Sequence, residues 1–210
     1  MKNKFLKATL GVALSTFTIG ANAQTKYTEG IITYNVQSAM GAVDTKTYFK
    51  GDSSLYSAQQ GPANIKVITK AGEYMAVLVD VPAANVKKAG IATPAEIEEF
   101  EASKPKFSFT KGTETKEISG FKCQKMTIKD EKSGSTYDAW ITNDISIPPG
   151  MLSYLLKDIG GVPVQFTTLQ MGQAINVTLK SISGDKVPAG TFNIPAGYEK
   201  GTLADLKPGG

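Results

Sequence analysis

The Ser-x-x-Lys spacings Ser103 to Lys106 and Ser119 to Lys122 are among the arrangements in this chain closest to a nucleophile and its base. Such a pair works when serine opens a helix and lysine lies one turn on, on the same face. Pro105 ends a helix rather than starting one, and Ser119-Gly120 reads as a turn running into a strand, where residues three apart face opposite sides. Both spacings therefore read as chance. The rest of the catalytic repertoire is thin. All 23 basic residues are lysines, there is no histidine, and Cys123 is the single cysteine. No Ser-His-Asp or Cys-His arrangement can be built, nor a His-ligated metal, a Cys-rich zinc site or an internal disulfide. No arginine fork exists for phosphate or carboxylate. Two carboxylates converging at about 5–9.5 Å remain the one enzymatic option, but Asp and Glu here fall in turns and on one helix, where solvated charge is expected. The reading is a non-catalytic protein with no cofactor.

The remaining special residues read as structure first. Cys123 lies in the expected strand Phe121 to Asp130 and reads as a small buried hydrophobe, with a reactive thiol or an intermolecular disulfide as the alternative. Asn176-Val177-Thr178 matches a glycosylation sequon but falls mid-strand. Trp140 points to the opposite side of its strand from Tyr137, Ala139 and Ile141.

The elements that carry these residues show a period of two. Ile32/Tyr34/Val36, Met75/Val77/Val79, Tyr137/Ala139/Ile141, Val162/Val164/Phe166 and Ile175/Val177/Leu179 alternate along the chain. Gly- and Asp-rich turns such as Lys50-Gly51-Asp52, Gln60-Gly61-Pro62, Ala71-Gly72, Lys132-Ser133-Gly134, Met171-Gly172-Gln173 and Ser183-Gly184-Asp185 separate them. Short spacing implies hairpins, hence an antiparallel meander of about ten strands that must curl or close. Two segments read as helices. Thr93-Pro94-Ala95-Glu96 is a capping box with proline at the first helical position, predicting a helix to Ser103 whose Glu98, Glu99 and Glu101 face water. A second helix is expected over Pro149 to Ile159, with Leu152, Leu155, Leu156 and Ile159 as one stripe and Gly160-Gly161 as its stop.

At the N-terminus, Lys2, Lys4 and Lys7 precede an apolar core from Ala8 to Ile19 and the small-x-small motif Ala21-Asn22-Ala23. This is the pattern of a signal peptide over residues 1–23, too short to span a bilayer. The remaining chain, 24–210, is expected as one β-rich domain in the periplasm or medium. The formal charge of +4 then falls to +1, because three lysines leave with the signal. A near-neutral, arginine-free chain has no footprint for nucleic acid, and no transmembrane segment is expected after cleavage.

The run Gly112-Thr113-Glu114-Thr115-Lys116-Glu117-Ile118-Ser119-Gly120-Phe121-Lys122-Cys123-Gln124-Lys125, followed by Ala139-Trp140-Ile141-Thr142-Asn143-Asp144-Ile145, resembles a signature of an uncharacterised family of secreted Gram-negative domains. Tyr48 to Asp52 and Phe192 to Tyr198 resemble its conventions too. That family is similar in outline to the periplasmic outer-membrane lipoprotein carriers. The resemblance implies a half-barrel, a curved antiparallel sheet with two short helices on its concave face and an apolar cavity between. The carriers hold their lid with a buried arginine, which this chain lacks. The expected partner is a lipid or other apolar small molecule. Its expected lining is Tyr34, Tyr137, Trp140, Met151, Leu152, Leu155, Leu156 and Phe166. An envelope scaffold with a filled core is the alternative.

Overall fold

A computed structural model describes residues 24–39, 41–70, 72–170 and 173–206. The signal-peptide segment, Ala71 of one expected turn and Met171-Gly172 of another lie outside the described residues. In chain order the strands are β1 (Thr25–Lys26), β2 (Glu29–Ser38), β3 (Gly41–Lys50), β4 (Ser53–Gln60), β5 (Ala63–Lys70), β6 (Tyr74–Val81) and β7 (Val86–Ile91). Helix α1 (Pro94–Ser103) comes next. It is followed by β8 (Phe107–Ile118), β9 (Phe121–Asp130), β10 (Thr136–Thr142), β11 (Ile145–Ser146), β12 (Val162–Gln170), β13 (Gln173–Ser183) and β14 (Glu199–Thr202). Twelve of them form one sheet in the order β14-β7-β6-β5-β4-β3-β2-β13-β12-β10-β9-β8, which does not close on itself. Short β1 and β11 pair separately and in parallel.

Neighbours in sequence pair as antiparallel hairpins, because their connections are too short for crossovers. The β8–β9 turn shows the local chemistry: Ser119 and Gly120 both take positive φ, 53° and 80°, the pair of values a two-residue hairpin turn requires. Two features depart from a meander. β13 returns to pair with β2 across 140 residues of chain, and β14 joins β7 in parallel.

Alternation decides which side chains meet on each face. On the inner face Tyr34 opposes Leu179, and the row Val36, Val177, Phe166, Ala139, Met126 crosses five strands. Tyr34, Phe166, Val177 and Leu179 are fully buried there. On β3 to β7 the other face is apolar as well. Tyr48, Leu55, Ile68, Ala76 and Ile91 form a row across five strands, beside the pair Leu78 and Ala89. Phe192, Ile194 and Tyr198 of the C-terminal segment pack over this second core. On β6 the alternating Met75 and Val77 pack against the inner core, while Ala76 and Leu78 on the other face are the more deeply buried set.

Helix α1 matches its expected limits. Glu96 N–H donates to Thr93 Oγ1 at 3.2 Å, and Thr93 N–H donates to Glu96 Oε2 at 2.7 Å, closing the capping box. The expected helix over Pro149 to Ile159 is not α-helical. It is a run of tight turns with one 3-10 turn at Tyr154–Leu156. Its backbone bonds all span three residues: Ser153 to Gly150, Leu156 to Ser153, Lys157 to Tyr154 and Ile159 to Leu156. Tight winding repeats every three residues, so Ser153, Leu156 and Ile159 stack inward together. Leu155 is carried out of that stack and is only half-buried. Gly160, at φ 88°, ends the run as expected.

Among the described residues no helix is long and apolar enough to cross a membrane.

Candidate functional site

A cavity of about 480 Å³ lies between the inner face of β2–β6, helix α1 and the turn segment 148–157. Its floor comes from the alternation of the strands: Ile32 on β2, Phe49 on β3, Val67 on β5, Met75 and Val77 on β6. The row Ile32, Thr47, Tyr56, Val67, Val77 sets these side chains abreast. The Ser54 and Thr69 hydroxyls also line the floor and satisfy one another at 2.8 Å. The roof is Ile97 and Phe100 of α1 on one side and Pro148, Pro149 and Met151 on the other. Tyr74, Tyr154, Glu101, Lys157 and Asp52 bring polar tips to the lining.

The cavity exists because its cover is sparse. Helix α1 buries no residue completely, and Phe100 remains 49% exposed. Ala92 N–H bonds Met75 O at 2.9 Å and fixes the entrance to the helix. Gly150 lets the turn segment press on the floor, since a Cβ there would stand 3.3 Å from Thr47 Cγ2.

Of the eight residues expected as lining, Met151 alone lines this cavity. Tyr34, Leu152, Leu156 and Phe166 are instead packed in the filled part of the inner core. Burial pushes the Tyr34 phenol well above its ordinary value, against the opposing hydrogen bond of Ser153. Leu155 is displaced by the three-residue winding. Tyr137 and Leu156 border a crevice of about 10 Å³, room for about one water. Trp140 shares its row with Lys125 and Gln165, on the opposite side of β10 from Ala139 and Tyr137. There Lys116 sits 4.1 Å above its ring and donates to Gln165 Oε1 at 2.9 Å. The strong apolar stripes fill the core rather than line the cavity. The cover that α1 supplies is only the pair Ile97 and Phe100, three apart on the helix.

The nucleophile-like spacings hold no site. Ser119 Oγ donates to Leu179 O at 2.6 Å, and Ser103 Oγ donates to Phe100 O at 3.0 Å. The sequon residue Asn176 accepts from Thr167 Oγ1 across β12 and β13 at 2.9 Å. Cys123 is 1% exposed, and burial pushes its thiol up to about 11. Little thiolate forms at neutral pH, so we expect Cys123 to resist alkylation until the protein unfolds. Cys123→Ala should cost about 1 kcal/mol. Rapid labelling of the native protein by iodoacetamide would refute the buried assignment.

No known family model matches the chain, and no curated protein matches it. Among solved structures it is similar to PNGF-II in a C2 crystal form, with a TM-score of 0.50 and 15% identity over 84% of this chain and 31% of that one. The P21 form gives a TM-score of 0.50 and 14% identity over 85% of this chain and 32% of that one. The chain thus spans about a third of the length of PNGF-II, and at this identity the likeness is one of fold alone.

Proposed function

We propose that this protein binds a lipid or other apolar small molecule between its sheet and the elements that cover it, without catalysing a reaction on it. The carrying observation is the cavity of about 480 Å³ floored by Phe49, Val67, Met75 and Val77. It falls within the ~300–1,000 Å³ range of small-molecule sites, which are typically apolar with few polar groups. Two lining carboxylates are already engaged: Glu101 with Lys104 and Tyr154, and Asp52 with the Ser53 hydroxyl at 3.2 Å. This supports a binding rather than a catalytic site. An open sheet covered by a short helix and a turn segment is compatible with the half-barrel of the lipoprotein carriers, and with it we propose a periplasmic or secreted location. The missing arginine argues for a ligand cycle unlike theirs.

Val77→Trp tests the proposal. Val77 is half-buried and faces the void, so the larger ring has space to enter and should leave the unliganded melt nearly unchanged. Wild type should be stabilised by a member of a fatty-acid and phospholipid panel, by about 2.7 kcal/mol at a hundredfold excess over Kd. The variant should gain nothing. If no lipid stabilises wild type and Val77→Trp loses roughly 1–3 kcal/mol, as an overpacked core does, the envelope scaffold becomes the better reading.

A further inference from the structure

Helix α1 covers the cavity yet is held by little of its own surface, which raises the question of what keeps it down. At its C-terminal end Lys104 pairs with the Glu101 carboxylate. The same ammonium lies 4.8 Å from the Phe100 ring centroid and 3.8 Å from that of Tyr154. Tyr154 Oη in turn donates to Glu101 Oε1 at 3.4 Å. Lys104 is only 15% exposed at its side chain, so its charge is partly withdrawn from water, where attraction to ring faces strengthens. Tyr154 belongs to the turn segment on the far side of the cavity mouth, and Phe100, Glu101 and Tyr154 all line it. One cluster therefore ties the two halves of the cover together over the void.

We propose that Lys104, Glu101 and Tyr154 form a latch that holds α1 down across the cavity mouth, and that ligand enters by its release. The purpose of the latch rests on the ligand-binding reading above, but its existence does not. Opening separates the Tyr154 ring from the ammonium and the Tyr154 hydroxyl from the Glu101 carboxylate; ammonium and carboxylate move together at the end of α1, while the capping box at the other end stays intact. The Lys104–Glu101 ion pair joins residues three apart at the end of α1 and stays closed on release. The contact that release breaks is that of the partly desolvated ammonium with the Tyr154 ring, so release should be slowed about tenfold relative to a chain lacking the charge.

Lys104→Met keeps the apolar stem and removes the charge, whereas Lys104→Arg keeps the charge and the affinity for ring faces. Hydrogen–deuterium exchange on the ligand-free full chain is the first readout. Amides of 97–103 should exchange about tenfold faster in Lys104→Met and near the wild-type rate in Lys104→Arg, with β2 to β6 unchanged. The second readout is stopped-flow uptake of a pyrene-labelled fatty acid, expected to quicken in Lys104→Met alone. Unchanged exchange in α1 overturns the latch, as does faster exchange spread through the strands. A loosened α1 with identical uptake rates overturns its role in entry. A loosened α1 with no uptake by any of the three proteins supports the latch and sinks the ligand reading.

Discussion

A chain ending at Lys186 is expected to lose cooperative folding and to aggregate. The C-terminal segment is the cover of the second core, and nothing else among the described residues packs there in its place. Leu55, Ile68 and Leu78 are at most 6% exposed beneath Phe192, Ile194 and Tyr198. Returning a large apolar side chain to water costs about 1.5–3 kcal/mol. Three of them already approach the net stability of a domain, about 5–15 kcal/mol. The segment is anchored at both ends. Val187 N–H donates to Glu29 Oε1 at 2.7 Å, and Lys50 donates to the same oxygen at 3.1 Å. Beyond it, Thr202 N–H and Oγ1 both donate to Asp205 Oδ2, at 2.7 and 2.8 Å. β14 runs so close to β7 that a Cβ on Gly90 would stand 2.7 Å from Thr202 O.

The first anchor also gives the detachment a pH sense. The Val187 amide, then Lys50, holds the Glu29 carboxyl below its ordinary 4.5. A group with a depressed folded value contributes stability above its unfolded value and loses it as pH falls through the folded one. The segment should thus loosen on acidification below 4.5 in wild type, and Glu29→Gln should flatten that response. Size-exclusion chromatography and thermal melts of the shortened chain check the main claim. A cooperative melt within about 2 kcal/mol of the full chain would mean that the outer face needs no cover.

The second core shows where a single sequence stops being readable. α1 was legible to the residue because its signals are local: a cap, a proline and a glutamate within four positions. Strands were legible because one alternating stripe suffices to place them. The outer stripe of β6 and β7 hid behind it, since Ala76 and Ala89 are small and Leu78 is flanked by Val77 and Val79. Its cover comes from Phe192 to Tyr198, more than 100 residues downstream. The β2–β13 pairing that seats Tyr34 against Leu179 is equally non-local. A cavity is less legible still, being the volume that Ile97 and Phe100 fail to fill rather than anything a residue type encodes. The Pro149–Ile159 segment misled because its leucine spacing fits an α-helix, while its length is too short for propensity to outweigh tertiary packing.

Phe166 and Met151, expected in one lining, now carry opposite predictions. Phe166 is 2% exposed and touches the filled half of the inner core, pairing with Val177 on one side and Ala139 on the other. Its neighbours in the row have fixed backbones within the sheet, so the space left by a missing ring cannot collapse. Phe166→Ala should cost about 3–5 kcal/mol, enough to leave a domain of ordinary stability partly unfolded at 37 °C. Met151 is 37% exposed on the cavity rim, with water already on one side and void on the other. Met151→Ala should change stability by no more than about 0.5 kcal/mol. Its effect belongs in binding, where a long flexible thioether adapts to the contour of an apolar ligand. Urea melts of both variants, repeated with the lipid that stabilises wild type, separate the two roles. A Phe166→Ala melt near wild type, or a Met151→Ala protein that unfolds early yet keeps the full lipid-induced gain, would reverse the assignment of core and cavity.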